Sequence, residues 1–163
     1  MDLNLGCTRM LINECRAQGL LRNQCAYVLA TAFWETAHTM QPVVEAYWLS
    51  ENWRRNNLRY YPWYGRGFVQ LTWEKNYQRA EAETGSPVHQ NPALALNPAI
   101  AAKIAVTGMR EGWFTGRDLN DFIDLQHSDF VNARRIINGV DRAQEIAVIA
   151  QHYDEALKAE WVD

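Results

Sequence analysis

Hydrophobic and polar positions follow a helical period over most of this chain, and the stretch that breaks the period holds most of its candidate chemistry. Thr8 to Ala17 reads as an amphipathic helix, with a break at Gly19. The run Gln24-Cys25-Ala26-Tyr27-Val28-Leu29-Ala30-Thr31-Ala32-Phe33-Trp34 is apolar or neutral on nearly every helical face. It predicts a helix buried on most sides, from about Asn23, a good N-cap, to near Met40, with Pro42 as the stop. Between Val43 and Thr72 the pattern turns into short alternating or irregular pieces, which predicts a small hairpin and a surface loop. Helical spacing resumes from Trp73 to about Thr84, with Thr72 as cap and Gly85-Ser86-Pro87 as terminator. Asn97-Pro98 places a cap and a first-turn proline before Ala99 to Glu111, and Gly112 ends that helix. Ser128 is expected to open a helix through Ile137, and Asn138-Gly139 turns the chain. Asp141 with Gln144 resembles a capping box for a last helix to about Glu160.

This pattern defines a mainly α protein. Its 163 residues, 48% of them hydrophobic, are enough for one full core and short for two domains. Without repeats, linkers or low-complexity tracts, a single domain over residues 1–163 is expected, with no separate second module. The net charge of −3 argues against general binding to nucleic acid or to a membrane surface. Locally, Arg54, Arg55, Arg59 and Arg66 against Glu51 form a basic stretch suited to a carboxylate-bearing polymer.

Cys7, Cys15 and Cys25 lack zinc-type spacing, and their odd number speaks against a disulfide framework. The four histidines stand on separate segments, so neither a metal nor another cofactor is expected. The first residues form no basic-then-apolar leader, and no stretch reaches the length of a membrane span. The chain is therefore expected to stay in the cytoplasm, and a target outside the membrane would need another factor to release it; a monomer is expected.

Two carboxylates are the leading candidates for chemistry. Glu35 closes the charge-free run, and Glu45 follows ten residues later, beyond Pro42. An apolar niche and a helix C-terminus both favour the neutral carboxyl, which is the form a general acid needs. Pro42 allows the chain to fold back and bring Glu45 within the ~6.5–9.5 Å that leaves room for a water between two carboxyl groups. Nine of the nineteen aromatic residues lie between Tyr47 and Trp73. Such density suits sugar faces and subunit interfaces alike, and the paired carboxylates favour sugar. In Tyr64-Gly65-Arg66-Gly67-Phe68-Val69-Gln70-Leu71-Thr72-Trp73, the glycines permit close approach of a ligand. Gln70 and Thr72 share one face by two-residue alternation.

Taken together, Glu35-Thr36, Glu45 before Tyr47, Tyr64-Gly65-Arg66-Gly67 with Gln70-Leu71-Thr72, Asn76-Tyr77 and Ile136-Ile137-Asn138-Gly139 resemble the lysozyme-like lytic enzymes of glycoside hydrolase family 19. That family includes plant chitinases and phage endolysins. The resemblance covers roughly residues 25–145 and implies a two-lobed, α-rich fold with a small hairpin lining a cleft. It implies hydrolysis of β-1,4 bonds between amino sugars with inversion. Glu35 is then similar to the general acid, Glu45 to the base, and Thr72 to the hydroxyl that holds the attacking water. Tyr47, Tyr64, Arg66, Gln70, Asn76 and Asn138 are the expected substrate-binding residues. Trp34 stands where the chitinases usually carry a histidine, Ala37-His38 replaces a glycine pair, and the interval from Glu35 to Glu45 is shorter; the shortened loop points to the phage and bacterial branch. Peptidoglycan is the expected substrate, with a chitin-like polysaccharide as the alternative and a non-catalytic sugar-binding or wall-anchoring module as the alternative of another class.

Overall fold

The structure, a computed structural model, describes residues 1–162. Asp163 lies outside them. Helix α1 spans Thr8–Ala17 and buries Leu11, Ile12 and Cys15, the apolar face that its spacing predicts. Helix α2, Arg22–Glu35, has no exposed face at its centre: every residue from Gln24 to Ala32 is buried. It packs most extensively along α6, Ala143–Leu157, while α1 lies against α5, Pro98–Glu111. These elements enclose the larger hydrophobic core, which includes Tyr27, Leu29, Met109, Ile136 and Tyr153.

A second, smaller core lies under α4, Glu74–Thr84, and gathers Leu71, Tyr77, Ala80, Val88, Ala95, Ile104 and Trp113. Phe114 packs against both cores. Its ring occupies the space where a side chain on Gly108 would stand, since a Cβ there would come within 2.7 Å of the ring. The glycine in the middle of α5 thus lowers local helix propensity and permits the aromatic contact that joins the lobes.

The central irregular segment contains the expected hairpin in minimal form: β1, Val43–Val44, pairs antiparallel with β2, Arg66–Gly67. Between them runs a helix the hydrophobic pattern does not announce, α3, Glu51–Asn57. Its sequence, Glu-Asn-Trp-Arg-Arg-Asn-Asn, carries no apolar stripe. It is started by the Ser50 hydroxyl, which accepts from the Trp53 N–H, and is anchored by the buried Arg54, which donates to the Ala46 and Leu49 carbonyls.

Several boundaries differ from expectation, each for a local reason. Helix α2 stops at Glu35 rather than near Met40, because Ala37, His38 and Met40 take positive φ and the Thr36 hydroxyl accepts from the Met40 N–H. Leu21, not Asn23, is its N-cap; Asn23 instead donates to the Asp124 carbonyl and the Ser128 hydroxyl. Thr72 caps nothing: its hydroxyl donates to the Gln70 carbonyl, and Trp73, at φ +76°, takes the cap position of α4. The helix expected from Ser128 to Ile137 reduces to a 3₁₀ turn over Asn132–Ile136, with Ser128 paired to Ile123 in an isolated bridge. No capping box opens α6, because Arg142 holds the cap position in the left-handed region and the Asp141 carbonyl is taken by Arg134. By contrast, Asn97 caps α5 by accepting from the Ala99 and Ile100 N–H groups, and Gly112 ends it at φ +74°, as expected. Among the described residues no helix is long and apolar enough to cross a membrane.

Candidate active site

The lobes meet at a cavity of about 260 Å³. One wall comes from the end of α2 and the turn before α6, through Glu35, Ile137 and Asn138. The other comes from the segment after β2 and the start of α4, through Val69, Gln70, Thr72, Trp73 and Asn76, with Phe114 completing the lining. A second recess of about 230 Å³ opens on the other side of Glu35 and is bordered by Thr36, Ala37, Thr39, Val43 and Tyr47. Glu35 therefore stands on the divide between two recesses.

Its surroundings differ from the apolar niche that the sequence suggests. The Arg134 Nη1 donates to Glu35 Oε1 at 3.0 Å, with the guanidinium almost fully buried and the carboxylate 23% exposed. Arg134 also donates through Nε to the Asp141 carbonyl at 2.9 Å, which fixes the plane of its fork. Oε2 of Glu35 has no protein hydrogen-bond partner among the described residues, so the clamp holds one oxygen and leaves the other for a ligand. Tyr27 lies beside this pair; burial pushes its phenol well above the usual tyrosine value, and Arg134 partly opposes that rise.

Glu45 emerges just after β1 and is cradled by two donors. The Gly65 N–H donates to Oε1 at 2.9 Å, and the Tyr60 hydroxyl donates to Oε2 at 2.5 Å. Burial first, then the neighbouring Glu45, push the Tyr60 phenol up to about 12, so it remains a donor throughout the neutral range. Glu45 does not itself line the cavity. It is tied to the cavity wall through Tyr60, whose ring lies 4.7 Å from Trp73, and through Gln70. A Cβ on Gly65 would stand 2.6 Å from the Gln70 Oε1 and 3.1 Å from the Glu45 Oε1, so a glycine is required for these two side chains to converge.

The amides serve the backbone as well as the cleft. Gln70, at φ +59°, donates from Nε2 to the Val43 carbonyl and so braces the hairpin against the cavity wall. Gln70 and Thr72 do line one cavity, yet by an irregular turn and not by strand alternation, since only Leu71 pairs with Arg66. Asn76 donates to the Thr72 carbonyl, and the exposed Asn138 accepts from the Gly139 N–H. Tyr47 is two-thirds exposed and lines the second recess, with Trp48 edge-on beside it.

Two expected contact residues are corrected. Tyr64 and Arg66 are only 5% and 6% exposed, so neither presents a surface to a polymer. Arg66 donates to the Pro62 and Tyr64 carbonyls and the Tyr77 hydroxyl, and its guanidinium lies 3.7 Å from the centre of the Tyr64 ring. The Tyr64 hydroxyl is bound by Glu51, whose carboxyl is held below its usual range by hydrogen bonds from Tyr61, then Tyr64 and Arg54. These residues fix the scaffold behind Glu45. The basic stretch shrinks accordingly, because Arg54 and Arg66 are interior and only Arg55 and Arg59 remain at the surface.

Arg134 and Tyr60 escape the sequence reading. A signal for Arg134 exists: it sits among Phe130, Val131, Ala133, Ile136 and Ile137, where a lone cation needs an anionic partner. Nothing local marks Tyr60 among its aromatic neighbours.

An α-rich pair of lobes around a carboxylate-bearing cleft defines the lysozyme-like class of fold, and solved structures narrow it to that of the family 19 chitinases. Chitinase C from Streptomyces griseus HUT6037 superposes with a TM-score of 0.66 at 20% identity, over 84% of this chain and 60% of its own. A mutant of chitinase C gives 0.62 at 20% identity, over 92% and 83%. A bacterial family 19 chitinase gives 0.62 at 22% identity, over 91% and 85%. The chain thus spans less than two thirds of the first of these. No protein-family model and no curated protein sequence matches it.

Proposed function

We infer that this protein is a glycoside hydrolase that cleaves β-1,4 bonds between amino sugars of peptidoglycan by an inverting acid–base mechanism. The observation that carries this reading is the placement of Glu35 between two recesses, clamped by Arg134 through one oxygen only. A sugar strand lying across the divide has residues on both sides of that carboxyl. In the free protein Glu35 pairs with Arg134. With the strand bound across it, Glu35 is protonated on Oε2 and passes that proton to the glycosidic oxygen, while Oε1 stays held by Arg134. Glu45 takes a proton from a water that attacks the anomeric carbon from the opposite side of the ring. The Thr72 hydroxyl, whose hydrogen is committed to the Gln70 carbonyl, offers its lone pairs to that water. Gln70, Asn76, Asn138 and Tyr47 then border the sugar.

The preference for peptidoglycan over chitin rests on charge. Arg59 is exposed and stands 5.2 Å from the Trp73 ring at the cleft, and Arg55 stands 5.7 Å from the Tyr61 ring. Neither has an ion-pair partner among the described residues. Arg59 at the rim, with Arg55 on the same exposed segment, suits a polymer that bears carboxylates and adds nothing for neutral chitin. In this reading the protein works as a monomer and reaches its substrate only after release from the cytoplasm.

Reducing ends released from purified peptidoglycan and from N-acetylglucosamine oligomers, measured side by side, test the assignment. Faster release from peptidoglycan, with a gap that narrows as salt is raised, is the expected result. Cleavage of the oligomers alone identifies a chitinase, and cleavage of neither leaves a sugar-binding module.

A further inference from the structure

Beyond Trp73 the cleft continues into a larger recess of about 400 Å³, bordered by Trp73, Lys75, Asn76, Trp113 and Phe114. Trp73, Asn76 and Phe114 also line the cavity at Glu35, so the two recesses adjoin. The recess combines an aromatic floor with a cation at its edge. Trp113 is almost fully buried, and its indole N–H donates to Glu111, which fixes the ring. Lys75 and Arg79 stand four apart on α4 and so lie on one side of that helix, with the Arg79 guanidinium 5.7 Å from the Trp113 ring. Neither Lys75 nor Arg79 has an ion-pair or side-chain hydrogen-bond partner among the described residues, and the neighbouring Glu74 pairs instead with His89.

We propose that this recess receives the acidic peptide branch of the glycan strand, with the Lys75 ammonium pairing with a branch carboxylate and the accessible rings of Trp73 and Phe114 covering its apolar side chains. The proposal rests on the assignment of peptidoglycan as substrate and adds the feature of that polymer which the protein reads. Bare sugar does not call for an unpaired lysine beside accessible aromatic rings, whereas a short peptide that carries both methyl groups and carboxylates fits both halves. Arg79 supports the field at the recess and makes the weaker contact, because its guanidinium is partly engaged with the Trp113 face.

The test compares three substrates: strands bearing peptide branches, the same strands stripped of them by an amidase so that lactyl carboxylates remain, and N-acetylglucosamine oligomers. Lys75→Glu is expected to lower the ratio of kcat/KM on branched strands to that on the oligomers by about tenfold, mainly through KM. Arg79→Glu is expected to lower it by about threefold. Both side chains lie on the outer side of α4, and an unchanged melting temperature shows that the fold is intact. A ratio that does not move in either variant, while the unmodified protein cleaves branched strands, overturns the proposal. An equal loss on the stripped strands also overturns it, since the lactyl group would then be the partner. A failure of the substrate assignment itself looks different, because the unmodified protein would then leave branched strands uncut.

Discussion

Glu35→Gln is expected to slow cleavage of the glycan strand by about 10²–10⁴-fold, the range over which a positioned proton donor contributes to turnover. The amide keeps the shape of the side chain, and its oxygen still accepts from Arg134, so binding of the strand should change little. The loss then appears in kcat rather than in KM. The effect on stability has a sign that the contact with Arg134 decides. Removing a carboxyl from an apolar niche would stabilise the fold, but removing the anion from a buried guanidinium leaves that cation without its charge partner. A fall in stability of about 1–2 kcal/mol is therefore expected, discounted for the partial exposure of Glu35. Steady-state kinetics and urea denaturation of the same preparation check both parts. Full activity would remove Glu35 from the mechanism, and a gain in stability would show that the ion pair is not formed in solution.

Arg134→Met should have the larger effect on the fold. The side chain is 4% exposed and makes two directional contacts 99 residues apart in one case and seven in the other, to Glu35 and to the Asp141 carbonyl. Its loss unfastens the end of α2 from the turn that leads into α6. A cost of about 3 kcal/mol is expected, near the lower end for breaking a buried pair because Glu35 retains some access to water. Activity should fall about a hundredfold, since a carboxyl free to rotate is no longer held over the scissile bond. Arg134→Lys restores the charge but cannot span both partners with a fork, so it should recover stability only in part. Combined with Glu35→Gln, Arg134→Met should add much less to the kinetic loss than it causes alone, because both changes disable one unit. Fully additive kinetic losses would mean that Arg134 and Glu35 act separately.

The elements that could be read from the sequence are those whose formation is governed by nearby residues. Helix α1 follows from one apolar face, α2 from a run without charge, and the limits of α5 from Asn97 and Gly112. Legibility fails where a distant partner intervenes. Asp141 and Gln144 fit a capping box locally, but Arg134 takes the carbonyl of Asp141, and the chain enters α6 through a left-handed Arg142. Ser128 to Ile137 has helical spacing, yet a bridge at Ser128 consumes its first residues. Helix α3 is hidden for a different reason: its anchor is a buried arginine, which an apolar pattern does not register.

The same distinction holds for the candidate site. Glu35, Gln70, Thr72, Asn76 and Asn138 are residues that the sequence singles out, and they line one cavity. Tyr64 and Arg66 belong to the same short motif but face inward, because their polar ends are satisfied by Glu51, Tyr77 and main-chain carbonyls. Only the fold reveals that saturation. Without it, an arginine and a tyrosine between glycines look available to a ligand. The glycines themselves have a local use, since Gly65 makes room for Gln70 and Glu45 to converge rather than for a sugar.

In the proposed mechanism Glu35 and Glu45 act from opposite sides of the anomeric carbon with a water between them. Proton NMR of freshly cleaved oligosaccharide, recorded before the new reducing end equilibrates, tests it most directly. The α anomer is the expected product of single displacement on a β bond. The β anomer would contradict that mechanism, because retention needs a double displacement, through either an enzyme carboxylate or the acetamido group of the sugar, and not a directly attacking water.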